Sequence, residues 1–156
     1  MNNKFNLFLS FVIVMTVSLS GCKNNAGTDM SNPFFSEYNT PFNVPPFEKI
    51  MARHYMPAFD KGITEARKDI EKIVRDKEEP TFANTIEAYD RAGKLLTDVM
   101  MVFNAQTSAN TNDSLQALQM EISPKFAGFM DEILMNEGLF RKIKSVYDNQ
   151  SKFNLT

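Results

Sequence analysis

From Phe59 to Tyr147 the apolar residues fall into runs spaced by three and four, which commits most of the chain to helices that each bury one face. Phe59, Ile63, Ala66, Ile70, Ile73 and Val74 define the first such stripe and predict a helix from about Pro57 to Lys77, with Lys68, Asp69, Lys72 and Arg75 turned outward. A short helical turn over Phe47 to Arg53 precedes it. Pro80 ends the pattern, and Thr81 is a good N-cap for a second helix over Phe82 to Ala109, striped by Ile86, Tyr89, Ala92 or Gly93, Leu96, Val99, Met100 and Phe103. Asn110 to Asp113 offers caps for a third helix over Ser114 to Met135, built on Leu115, Leu118, Ile122, Phe126, Phe129, Ile133 and Leu134. Pro124 should bend that helix, because it removes a backbone donor and crowds the preceding turn. Asn136 breaks or caps, and Leu139, Phe140, Ile143, Val146 and Tyr147 mark a fourth helix. Glycine is scarce, tryptophan is absent and Met, Ala, Lys and Glu are plentiful, so composition also favours helix over strand. The expected fold is all-α, with antiparallel helices joined by short loops.

Ahead of the helices, Asn32 to Pro46 alternates prolines and aromatics with no period. Proline removes donors and fixes φ, so this stretch reads as an extended arm whose Phe34, Phe35, Phe42 and Phe47 dock on a partner surface.

Residues 1–21 have the three-part build of an export signal: Lys4, an apolar run from Phe5 to Leu19, then small residues. Fifteen residues of helix rise only ~22 Å, short of the ~30 Å hydrocarbon core of a bilayer. The segment therefore reads as a removable leader. Leu19-Ser20-Gly21-Cys22 resembles the bacterial lipobox, which implies that Cys22 becomes an acylated N-terminus and anchors the chain to a membrane of the bacterial cell envelope. Residues 22–31 are small and polar and read as a flexible tether.

The chemistry available is narrow. Cys22 and His54 are the only cysteine and histidine in 156 residues. With Cys22 committed to lipid, His54 alone cannot make a zinc site or a Cys/His pair. No orienting acid or nucleophile stands at a recognisable spacing from it, so His54 reads as structural or interfacial. Glu78-Glu79 and Asp131-Glu132 read as solvated helix ends or faces. Neither a phosphate-binding glycine loop, nor Gly-x-Ser-x-Gly, nor H-E-x-x-H occurs. A net charge of −2 gives no reason to expect nucleic acid as a partner.

Several segments occur in one order: Asn32-Pro33-Phe34-Phe35, Pro45-Pro46-Phe47-Glu48-Lys49-Ile50, His54-Tyr55-Met56-Pro57-Ala58-Phe59, Pro80 to Ala88, and Ala109 to Asp113. Ile122-Ser123-Pro124-Lys125 and Asn136 to Phe140 continue the series. Together they resemble the N-terminal region of peptidyl-dipeptidases (dipeptidyl carboxypeptidases) in the thimet oligopeptidase family of zinc metallopeptidases. The resemblance implies a mostly helical enzyme that removes C-terminal dipeptides from oligopeptides, its zinc held by an H-E-x-x-H helix and a later glutamate. None of those metal or catalytic positions has a counterpart here, so no catalytic, cofactor or metal residue carries over and Cys22 is the only site residue expected. Residues 32–156 are then expected to be the helical N-terminal part of a longer lipoprotein peptidase, truncated and inactive alone, with the catalytic region and the oligopeptide substrate as its partners. The alternative is a lipid-anchored helical module of that ancestry that binds peptides or proteins without cleaving them.

Overall fold

A computed structural model describes residues 32–153, all of them helix, turn or irregular backbone with no strand. The leader, the tether and Cys22 lie outside the described residues. Five α-helices follow the arm: α1 (Ala52–Arg75), α2 (Ala88–Arg91), α3 (Lys94–Ala109), α4 (Asp113–Leu134) and α5 (Glu137–Asp148). A π-turn over Phe82–Glu87 leads into α2.

Helix α1 is the centre of the packing: α2, α3, α4, α5 and the arm all lie against it. Phe59, Ile63, Ala66, Ile70 and Ile73 are buried, as the spacing requires, while Val74 is only half-buried. The closest approach of a glycine to another helix's main chain is at Gly62, where a Cβ would stand 2.9 Å from both the backbone nitrogen and the Cα of Leu96 on α3. A side chain there would meet main chain, which cannot swing aside. Hydrogen-bonding caps begin the π-turn, α4 and α5. Thr81 and Asn84 exchange bonds at 3.1 and 2.7 Å, and the side chains of Asn112 and Asn136 accept from Leu115 and Leu139 at 3.1 and 2.9 Å. At the other end of α1, the Lys142 ammonium of α5 donates to the Asp76 carbonyl at 2.7 Å.

The first helix starts at Ala52 rather than Pro57. His54 explains the earlier start: its backbone N–H donates to the Met51 carbonyl (2.9 Å), and its imidazole Nδ1 accepts from the Met51 N–H (3.0 Å). Pro57 thus falls beyond the first turn, on the exposed side. The second predicted helix is two helices. Gly93, at φ +69, takes the left-handed conformation that turns the chain between α2 and α3, and a Cβ on it would sit 2.9 Å from that of Ala66. The Asp69 carboxylate accepts the Gly93 N–H at 3.3 Å and pairs with Lys72 at 2.9 Å. Lys72 first and the Gly93 N–H second hold this carboxyl below the usual carboxylate range. Asp69 is therefore half-buried and engaged rather than simply outward-facing. Helix α4 is continuous through Pro124.

The arm departs from the expected extended form, folding into 3-10 turns at Pro33–Phe35 and Pro41–Asn43. Phe34 is buried and Phe35 packs against the core, as expected. Phe42 and Phe47 do not dock: they are 98% and 41% exposed. For Phe42 the cause is the second turn, which the Thr40 hydroxyl closes onto the Val44 carbonyl (2.5 Å) and in which Phe42 and Asn43 have positive φ, so the chain reverses at Phe42 and presents the ring to solvent. Leu134, Phe140 and Tyr147, assigned to buried stripes by spacing, are also mostly exposed, because only part of each stripe meets another helix.

Three glycine substitutions separate these effects. Gly62→Ala should cost about 1–3 kcal/mol by overpacking. Gly93→Ala should cost about 2 kcal/mol, through left-handed strain and the Ala66 contact. Gly128→Ala on α4, where an added Cβ meets nothing within 4 Å, should instead stabilise by about 0.5–1 kcal/mol. Urea unfolding of the three variants reads the order directly, and equal losses in all three would refute the close-approach account.

Candidate functional site: the arm groove

Asn32 fastens the arm. Its side-chain amide donates to the His54 carbonyl at 2.9 Å, and its Oδ1 accepts the Phe34 N–H at 3.1 Å. This holds Phe34 against Tyr55, with ring centroids 5.4 Å apart, and Phe103 of α3 meets the Tyr55 ring edge-on at 5.0 Å. Three aromatic rings thereby join arm, α1 and α3.

Beyond this stack, the arm, α1 and α3 enclose a groove of ≈ 820 Å³. Phe35, Tyr38 and Met101 supply apolar surface, and Glu37, Lys61, Glu65, Lys94 and Asp98 supply charge. Lys61 lies 4.2 Å over the Phe35 ring and 3.8 Å from Glu65, while Lys94 meets Asp98 at 2.6 Å. The charges within the two ion pairs offset each other, and Glu37 leaves the lining with one acidic charge in excess. Burial, and then Asp98, raises the Tyr38 phenol above its ordinary pKa. Burial, and then Tyr38, pushes Tyr55 up to about 12. Both stay neutral through the physiological range. The Tyr55 hydroxyl is fully buried and has no hydrogen-bond partner among the described residues.

His54, the residue singled out by its rarity, is buried at the start of α1, where its Nδ1 accepts from Met51. Among the described residues no three His, Cys, Asp or Glu side chains come together, so this set does not fit a zinc ion. Glu132 is solvated, as expected, and also paired: Arg67 of α1 grips it with contacts of 2.8 to 3.1 Å, tying α4 to α1. Glu78 and Glu79 are exposed. No helix among the described residues is long and apolar enough to cross a membrane. Tyr38, Tyr55 and Asp98 were not candidates from sequence. Tyr55 falls inside the His54 to Phe59 segment, but Tyr38 sits in an aperiodic arm and only tertiary structure brings it to Asp98.

No family model matches the chain. Among curated proteins, the dipeptidyl carboxypeptidase of Salmonella typhimurium is 37% identical over 125 residues, 80% of this chain and 18% of that protein. The dipeptidyl carboxypeptidase of Escherichia coli is 38% identical over 124 residues, with the same two coverages, 80% and 18%. Oligopeptidase A of Escherichia coli is 24% identical over 119 residues, 76% of this chain and 17% of that one. The chain is thus related to peptidases over most of its length. The relationship is to the dipeptidyl carboxypeptidases of the thimet oligopeptidase family, and the chain spans about a fifth of the length of the curated relatives it matches.

Tyr55→Phe should leave stability at pH 7 unchanged or raise it, because it removes a buried hydroxyl with no protein partner. Tyr55 is raised above the unfolded value of 10.0, so its contribution is complete below pH 10 and is lost as pH rises toward about 12. The variant should therefore lose less stability than the parent between those limits. A destabilised variant at pH 7, measured by urea unfolding, would contradict the orphan hydroxyl.

Proposed function

We propose that this chain forms the helical N-terminal part of a zinc-dependent peptidyl-dipeptidase of the bacterial envelope, contributing arm and helices to one wall of the substrate channel. The observation that carries this reading is the identity of 37–38% to dipeptidyl carboxypeptidases across 80% of the chain. In this reading the zinc and its ligands belong to the remainder of the peptidase, since no group of three His, Cys, Asp or Glu among the described residues fits them, and the chain alone neither holds zinc nor cleaves peptides. Lipid on Cys22 anchors it at a membrane surface, and the tether carries the helical part clear of the headgroups.

The second reading, a non-catalytic lipid-anchored binding module, draws support from the continuous core running from Phe34 to Leu139. One assay separates the two. The purified chain, with zinc and a blocked short peptide, should release no dipeptide; release should appear on adding the complementary portion of the Escherichia coli dipeptidyl carboxypeptidase. Dipeptide release by the chain alone would overturn the proposal, and a chain that never restores activity would favour the module. Cys22→Ser should abolish labelling by a radioactive fatty acid and shift the protein out of the membrane fraction; persistent labelling would remove the lipid assignment.

A further inference from the structure

Helices α3 and α4 both lie on α1 with little contact between each other. The cleft they leave is an open groove of ≈ 400 Å³, floored by Ala66 and Ile70 of α1 and walled by Leu96 and Met100 on one side and Phe126 and Met130 on the other. Gly93, just before α3, to Asn104 on it borders the groove, eleven helical steps and so ~16 Å, or about three helical turns. The floor is low where the small Ala66 sits, and the methionines on the walls are unbranched and adapt to a partner's shape. Asp90, Thr97 and Asn104 make a polar rim. An apolar trough with helical walls and a polar rim matches the apolar face of one amphipathic helix.

No helix of the described residues fills it. Helix α5 packs instead on α1 and on the π-turn. The relatives are more than five times as long as the matched segment, which is 18% of each, so each carries a long stretch of chain outside it to supply a cover. We propose that the groove between α3 and α4 seats one amphipathic helix from that remaining portion of the peptidase, three turns long, with apolar residues at i, i+3 or i+4 and i+7 facing Met100 and Met130. The inference rests on the peptidase reading and adds to it the place where the two parts join.

The test uses the full chain and peptides of about twenty residues, each able to form about five helical turns, tiling the Escherichia coli dipeptidyl carboxypeptidase outside the matched segment. Peptides with the stated helical spacing should bind. Met100→Glu, which places a charge on the wall, should weaken binding about tenfold or more, whereas Met120→Glu, on an exposed part of α4 outside the groove, should not. Thr97→Arg, at the exposed rim, repeats the test without touching the core, should Met100→Glu fail to fold by circular dichroism. Binding of no peptide, or equal binding by groove and control variants, overturns the groove assignment while leaving the peptidase reading to the dipeptide-release assay. A concentration-dependent dimer lost in the groove variants and kept in Met120→Glu identifies a second copy as the occupant and also overturns it.

Discussion

The contact of α1 with α3 at Gly62 sets the spacing of everything else. With only a hydrogen where a Cβ would stand, α1 comes against the Leu96 main chain, and the residues on either side of the crossing interdigitate at close range. Ile63, Ala66, Val99, Val102 and Phe103 are buried as a direct result. The same approach brings Phe103 to Tyr55, which in turn gives Phe34 a surface to pack on. The arm therefore docks because the two helices are close, and its aromatic anchor reports on that distance.

Much of the architecture was legible in the sequence because periodicity is a strong signal in helices of this length. The stripes of α1, α3, α4 and α5 and the caps at Thr81, Asn112 and Asn136 follow from spacing and capping chemistry, whereas the aromatic content of the arm pointed equally to four rings, of which Phe34 and Phe35 dock. The break at Gly93 was hidden because a single glycine inside a helical pattern is usually tolerated; only the proximity of Ala66 and the Asp69 carboxylate selects the left-handed conformation. The start of α1 was misjudged because Pro57 looks like a first-turn residue, whereas the reciprocal bonds of Met51 and His54 begin the helix earlier. Spacing also cannot tell how wide a stripe the neighbouring helices cover, which is why Phe140 and Tyr147 were assigned inward and lie outward.

The arm groove was less legible than the fold. Its members come from three segments, and one of them, Tyr38, belongs to a stretch with no period. What sequence did convey about function came from the ordered series of short segments, each weak alone, whose joint pattern agrees with the 37–38% identity to dipeptidyl carboxypeptidases. His54 drew attention by rarity, yet its work is at a helix start.

The central position of α1 has a kinetic meaning. Apart from contacts of the π-turn with α2 and α5 and of the arm with α3, the principal packing within the described residues runs through this one helix. No pair of the other helices forms a subunit able to persist once α1 is lost, so opening of α1 and global unfolding are the same event. Amide protons at the middle of α3 and α4 should then exchange no more slowly than those of α1, and the described region behaves as a single cooperative unit rather than as stacked helical pairs.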